Sequence, residues 1–323
     1  MLEVGHDVTI FDSLVRPGAE RNLAFLEAAA KRTSLCFVRG DVAERTAIDT
    51  AVEKADIVFH LAAQVSVVGS VSDPLTDFRS NMVGTFNVLE AARRSDRDPI
   101  ILVASTNKVY GPLERFSHKE EETRWTLPQR PYGIAEDEPV GPVTPYACSK
   151  GAGDLYALDY ARTFGVKTVV MRQSCIYGTH QQAMEEQAWA AWFIKAALSN
   201  WQIVIFGDGK QVRDLLHVDD LVDAYARAIQ AIDRVAGMAF NIGGGPTMTF
   251  SVWHEFGDWL QKALGRRISV SHTSPRVGDQ RVFISDTRRA EAELGWRPRI
   301  AVQDGLTDLV RWLKKDVSGG VHL

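Results

Sequence analysis

The sequence predicts an α/β fold, a doubly wound parallel sheet with a smaller α/β lobe attached. Two observations carry that prediction. Short β-branched runs at residues 8–11, 35–38, 57–60, 100–103 and 169–171 alternate with longer stretches of helical pattern. Near-continuous apolar strands of this kind suit a parallel sheet covered on both faces. After about residue 173 the alternation changes, so residues 1–173 read as the larger domain and 174–323 as a second lobe partly interleaved with it.

The connecting helices are legible in the same way. Residues 82–94 place apolar positions on one face and end in Arg93 and Arg94, which suits the negative end of a helix dipole. Residues 146–164 run to Gly165, a natural C-terminal cap. In the second lobe, Trp189, Trp192 and Phe193 mark a helix, and Gly207-Asp208-Gly209 marks a turn. Leu306, Leu309, Val310 and Leu313 form the apolar stripe of the last helix. The βαβ order and spacing belong to the doubly wound class.

Composition narrows the function. At 323 residues and 45% hydrophobic content the chain can bury a large core. The net charge is −4, and no cluster of Lys and Arg with interleaved aromatics predicts a nucleic-acid partner. The run Lys119-Glu120-Glu121-Glu122 reads as a solvated loop. Cys36, Cys148 and Cys175 are odd in number and far apart; this argues against a disulfide framework or zinc site and fits a reducing cytoplasm. No apolar run approaches membrane-spanning length, and the opening residues lack a signal-peptide pattern, so no membrane association is expected. The eight histidines show no ligand spacing, no metal is expected, and His60 and His217 read as packed strand-end residues.

Asp12 closes the first visible strand. In a dinucleotide-binding fold an acidic residue there accepts hydrogen bonds from the adenosine ribose, roughly 20 residues after a Gly-rich phosphate loop. Only 11 residues precede Asp12, and Gly5 is the sole glycine among them. The opening residues read as the tail of a helix entering the fold's second strand. The expected fold therefore lacks its first strand, the Gly-rich loop and most of the first helix. An ordinary strand-end aspartate is the plainer alternative.

Thr144-Pro-Tyr146-Ala-Cys-Ser-Lys150 places Tyr146 and Lys150 four apart on one helix face. The pair alone is a weak signal, and a surface helix pair is its bland reading. Its position strengthens it. One strand earlier, Ala104-Ser105-Thr106-Asn107 ends a strand in small hydroxylic residues, and ligands sit at the carboxyl ends of strands in open α/β sheets. A phenol with a pKa of about 10 is a poor base at neutral pH. An ammonium nearby is expected to lower that value towards the working range, while a Thr hydroxyl holds the substrate hydroxyl.

His60-Leu-Ala-Ala63-Gln64, Asn81-x-x-Gly84-Thr85-x-Asn87, Tyr146 with Lys150, Val212-Arg213-Asp214, His217-Val-Asp-Asp220 and Leu294-Gly295-Trp296-x-Pro298 follow one another in order. By these motifs, which span essentially the whole chain, the protein resembles the extended short-chain dehydrogenases/reductases of the NAD-dependent epimerase/dehydratase family. The resemblance implies a Rossmann-type sheet, bound NAD and a nucleotide-sugar substrate. It implies that Thr106 orients substrate, that Tyr146 is the acid/base, and that Lys150 also holds the nicotinamide ribose. Asp12 would serve the adenosine ribose and Asp41 and Val42 the adenine, with Leu61, Ala62, Ala63 and Asn81 lining the cofactor. It further implies a homo-oligomer, a dimer or tetramer, paired through helices near 82–94 and 146–164.

The residues after Thr106 divide the family. Members that dehydrate sugars resemble one another in carrying an acidic residue there, whereas this chain has Asn107-Lys108. The run 105–111 and the stretches 145–152, 158–162, 189–193, 209–214 and 279–283 are similar to the branch that inverts C2 of a CDP-linked 3,6-dideoxyhexose. A CDP-linked deoxysugar is therefore the expected substrate; a 4-epimerase or reductase of the same family remains the alternative, as does a catalytically impaired fragment. Arg213 and Arg276 are candidates for the diphosphate, against the plainer reading of ion-paired surface arginines. Trp189 and Trp192 are candidates for the pocket wall or equally for core packing, and Asn107 and Lys108 for substrate contacts or a simple loop. With no phosphate loop and with apolar strand edges left open, the chain is expected to fold badly and to bind NAD weakly. A stable preparation with micromolar NAD affinity, measured by titration calorimetry, contradicts that expectation.

Overall fold

The computed structural model describes residues 1–30 and 35–318. Strands β1 (Val8–Asp12) and β2 (Leu35–Arg39) pair in parallel from Val8 opposite Leu35 to Asp12 opposite Arg39. β3 (Ile57–His60) and β4 (Ile100–Thr106) begin a second parallel set. β5 (Lys119–Glu120) and β6 (Trp125–Thr126) form a short antiparallel ribbon, so the charged run read as a plain loop is partly paired through its backbone. Its side chains remain exposed at Lys119 and Glu120. β7 (Thr168–Gln173) lies against β4. β8 (Cys175–Tyr177), β9 (Ile203–Phe206) and β10 (Val212–His217) belong to the second half of the chain. β11 (Met238–Ile242) then returns to pair in parallel with β7. The order of the main set is β11-β7-β4-β3. β12 (Thr249–Ser251), β13 (Val270–Thr273) and β14 (Val282–Phe283) complete the strands: β10 carries β12, β14 and β8, and β9 pairs with β13.

Alternation along the central strands explains why both faces are covered. On β4, Leu102 points into one core with Met171 and Phe240, while Ile101 and Val103 point into another with Val170 and Leu89. Helices 45–52, 84–94 and 145–164 cover the second of these faces; helices 218–230 and 288–294, with Trp296, cover the first. A third core gathers helix 189–198 around Phe193 and Phe256 with Leu306, Leu309 and Leu313 of the last helix. By contrast, among the described residues β1 and β2 pair only with each other, and helix 19–29 between them has no buried residue. Among the described residues the parallel strands thus fall into two separate sets, β1-β2 and β11-β7-β4-β3.

The helix expected over residues 82–94 opens as a wider π-type turn at Arg79–Val83 and becomes α-helical at Gly84. Gly84 packs on the Val42 side chain: a Cβ there would lie 2.6 Å from Val42 Cγ2, so the close approach needs glycine. Helix 145–164 is capped by the Thr144 hydroxyl and ends at Gly165 with φ 73°. The two late motifs interlock. His217 caps helix 218–230, the Trp296 indole donates to the Asp220 carbonyl at 2.9 Å, and the Asp220 carboxylate accepts from the amides of Arg299 and Ile300.

Below the end of β4 lies a buried polar group that sequence periodicity does not reveal. Arg172 of β7 forms a two-point ion pair with Asp154 of helix 145–164, both contacts at 2.9 Å. Asp154 also accepts from the Ser105 hydroxyl at 2.7 Å, and Arg172 reaches the Tyr110 hydroxyl at 3.0 Å. Removing one partner of such a pair strands a buried charge. Arg172→Met is expected to lower the unfolding free energy by about 3–5 kcal/mol in urea denaturation; an unchanged midpoint contradicts the role assigned to the pair.

Candidate active site

The carboxyl ends of β3, β4 and β7 open into a cavity of about 1070 Å³. Its wall includes Leu61 and Ala63 after β3, Ser105, Thr106, Asn107 and Lys108 at the end of β4, and Gln173 and Cys175 around the end of β7. Tyr146 and Lys150 enter from helix 145–164. β4 continues to Thr106, three residues beyond the predicted run, and then tightens into a 3₁₀ turn over Asn107–Tyr110. The Thr106 hydroxyl accepts from the Lys108 amide at 3.3 Å, which holds the turn. Tyr146 is anchored by its own amide, which donates to the Ser70 hydroxyl at 3.1 Å. The structure thus brings Thr106, Tyr146 and Lys150 to one wall.

The electrostatics differ from the sequence expectation in one respect. Burial pushes the Tyr146 phenol above its ordinary pKa; a hydrogen bond with Thr106 pulls it down, and the charge of Asp77 pushes it up again. The Lys150 ammonium, expected to depress the phenol, instead donates to the Ala104 carbonyl. Burial lowers Lys150 to about 8, with Asp154 and Asp77 acting the other way. His60 is buried against the Thr85 hydroxyl at 2.9 Å, and burial, reinforced by Lys150, lowers it to about 3. It therefore stays neutral.

The remaining predicted residues fall into three groups. Asp12 and Asp41 stand at the ends of β1 and β2, where their carboxylates accept from the amides of Leu14 at 2.7 Å and Ala43 at 2.9 Å. Val42 seats on Gly84, and its carbonyl accepts from Asn87 at 3.0 Å. Asn81 lies beneath the Leu61–Gln64 loop rather than on the cavity wall. Its amide group bonds the backbone of Gln64 on both sides, at 2.8 and 3.0 Å, and the Ser149 hydroxyl at 3.1 Å. It shapes the loop on which Leu61, Ala62 and Ala63 ride.

Trp189 lines the cavity; its indole points to the Cys175 sulfur at 3.4 Å, and its ring packs edge-on to Phe256. Trp192 packs on Trp201 instead. Arg213 and Arg276 are off the cavity wall. Arg213 is buried and donates to Asp279 at 2.7 Å; Arg276 lies 3.9 Å over the Phe206 ring and contacts the Glu185 carbonyl. Cys175, Gln173 and Asp279 were not among the predicted site residues. An acid three positions after Arg276 was the available signal for Asp279. Among the described residues no group of three or more potential ligands could hold a metal, and no helix is long and apolar enough to cross a membrane.

Known proteins share this architecture. The NAD dependent epimerase/dehydratase family matches residues 1–243. A CDP-paratose 2-epimerase of Salmonella typhi is 38% identical over 318 residues, covering 96% of this chain and 93% of that protein. A putative UDP-glucose 4-epimerase of Methanocaldococcus jannaschii is 30% identical, covering 98% of this chain and 93% of its own. Among solved structures, the UDP-glucose 4-epimerase of Thermotoga maritima with UDP-glucose aligns with a TM-score of 0.81 at 28% identity, covering 98% of this chain and 93% of that one. A double mutant of the dTDP-glucose 4,6-dehydratase of Streptomyces venezuelae, with NAD bound, aligns with a TM-score of 0.82 at 28% identity, covering 97% and 89%. With its Rossmann-type α/β architecture and this match over most of its length, the chain belongs to the NAD-dependent epimerase/dehydratase family.

Proposed function

We propose that this enzyme inverts C2 of CDP-paratose to give CDP-tyvelose through a transient 2-keto sugar. One observation carries the reading: among the described residues, no Asp or Glu lines the cavity that holds Thr106, Tyr146 and Lys150. Loss of water from a sugar needs an acid for the departing hydroxyl. At the place where the dehydrating members resemble one another in carrying that acid, this chain presents Asn107 and Lys108. The likeness to the Salmonella typhi 2-epimerase adds the sugar and the nucleotide.

NAD fits the site at its two ends. The cavity is at the upper end of the usual range for small-molecule sites, about 1,000 Å³, with Leu61 and Ala63 beside Tyr146 and Lys150; Asp12 stands at the end of β1, suited to the adenosine ribose. Residues 1–12 hold no Gly-rich loop, so no residue is assigned to the pyrophosphate. When bound, NAD supplies the hydride acceptor and, on return, the donor. Tyr146 takes the C2 hydroxyl proton while Thr106, which also favours the phenolate, holds that oxygen, and Lys150 would hold the nicotinamide ribose. The 2-keto sugar turns in the cavity, and Tyr146 gives the proton back when the opposite face is reduced. There is no net redox change. Arg213 and Lys108 both bond Asp279, whose charge also acts on Arg276; Arg213 and Arg276 are assigned to the substrate diphosphate. Residues 174–323 supply this part of the site as the substrate lobe. Exposed Phe86, Leu155, Tyr156 and Phe164 on helices 84–94 and 145–164 support pairing of two copies there.

Incubation with CDP-paratose and NAD is expected to move the sugar's proton NMR signals to those of the C2 epimer; an unchanged C2 overturns the reading. UDP-glucose in a parallel tube tests the 4-epimerase alternative, which the Thermotoga maritima likeness favours. Tyr146→Phe is expected to lower kcat by about 10²–10⁴-fold, and an unaltered rate removes Tyr146 from proton transfer. The pH profile follows from Lys150. Its ammonium is present below about 8 and lost above, so kcat/KM declines as pH rises through that value. Asp77→Asn removes a charge that favours the ammonium and moves the decline to lower pH; an unmoved profile contradicts the assignment.

A further inference from the structure

The turn after β4 is gripped by two consecutive residues from far along the chain. Gln280 is fully buried and donates to the Gly111 carbonyl at 2.7 Å and the Asn107 carbonyl at 3.4 Å; its own carbonyl accepts from the Asn107 amide group at 3.4 Å. Asp279 Oδ1 accepts from Lys108 Nζ at 3.1 Å, from Arg213 Nη2 at 2.7 Å and from the Gln280 amide at 3.1 Å. Just before them, Gly278 sits with φ 70°, and a Cβ there would come 3.0 Å from the methyl of Thr144, the cap of the helix that carries Tyr146. The grip therefore abuts both pieces of backbone that present the site.

Of the two cations bonded to Asp279, only Lys108 lines the cavity. A lysine side chain is long and flexible, and its head offers three N–H donors. One donor is directed to Asp279. Lys108 and Arg213 together carry one more positive charge than Asp279 balances. An electron-rich oxygen entering the cavity meets that excess in a region where charges are poorly screened.

We propose that Asp279 and Gln280 are positioning residues for Lys108, and that the ammonium so placed donates to an oxygen on the hexose ring. The identity of that acceptor rests on the nucleotide-sugar reading; the positioning does not. The charged and titratable groups that face Lys108 are Asp279, Arg213 and the thiol of Cys175, which burial keeps neutral. Burial lowers the Lys108 pKa and Asp279 raises it, so removal of the Asp279 charge acts on Lys108 even with no substrate present.

The test is a cycle of Lys108→Met, Asp279→Asn and the double variant in the full chain, with NAD added. On the sugar nucleotide that the wild type turns over, Lys108→Met is expected to lower kcat/KM by about 30-fold, within the range for a hydrogen bond from a charged group. Adding it to Asp279→Asn should cost less than about 3-fold more, because Lys108 is already misplaced. Asp279→Glu should recover part of the loss. Independent penalties, which multiply, overturn the proposal. Should Asp279→Asn yield no folded protein, Asp279→Glu and Gln280→Glu each combined with Lys108→Met complete the cycle. The second readout needs no substrate. NMR titration of protein labelled at the lysine ε-carbon, with Lys108 assigned by its absence in Lys108→Met, should show a lower Lys108 pKa in Asp279→Asn, or a higher pKa limit in Asp279→Glu than in that variant; an unmoved titration overturns the positioning. A wild type inactive on CDP-paratose but active on UDP-glucose defeats the 2-epimerase reading alone, and the cycle is then read on UDP-glucose.

Discussion

Asp154 is where the helix, the sheet and the cavity wall are tied together. Its carboxylate takes both nitrogens of the Arg172 fork and the Ser105 hydroxyl, and so joins helix 145–164 to β7 and β4 at one buried point. Thr106 is the next residue on β4, and Lys150 is one turn earlier on the helix. Lys150 Nζ then closes the same junction on the Ala104 carbonyl. Ion pairs of this kind are poor contributors to net stability, because desolvation offsets much of the attraction. Their value here is geometric: a planar two-point pair defines the helix position in a way that apolar packing alone does not. The Thr106–Tyr146–Lys150 arrangement inherits its precision from that pair.

Much of this was legible in the sequence because it depends on short-range periodicity. The apolar strand runs, the i to i+4 spacing of Tyr146 and Lys150, and the glycine after Phe164 each report a local geometry that tertiary context left intact. What was not legible depends on partners distant in sequence. The phosphate reading of Arg213 rests on its chemistry alone; that its guanidinium also engages Asp279, 66 residues on, is not visible in the sequence. Arg276 lies on the Phe206 ring. Asn81, expected at the cofactor, holds up the loop that lines the cavity, since its amide can satisfy both backbone groups of Gln64 at once. The Tyr146 phenol goes up rather than down because burial is a property of the whole fold, and the nearby ammonium has a carbonyl to bind.

The cavity's lining accounts for the proposed branch of chemistry more directly than Thr106, Tyr146 and Lys150 do. Thr106, Tyr146 and Lys150 suit any reaction that begins by oxidising a sugar hydroxyl. The surrounding wall, with a cation at Lys108, a neutral amide at Asn107 and a raised-pKa thiol at Cys175, has among the described residues no carboxylic acid to expel water from the oxidised sugar. A ketone formed there has one productive exit, reduction, and turning before reduction makes that exit an epimerisation.

That account makes the hydrogen on C2 travel as hydride and never as a proton. The decisive measurement uses CDP-paratose deuterated at C2, incubated with the enzyme and NAD in ordinary water, with the product examined by mass spectrometry and NMR. The account predicts CDP-tyvelose that keeps the deuterium at C2. Product carrying solvent hydrogen at C2 would show that the carbon was deprotonated, and would contradict it.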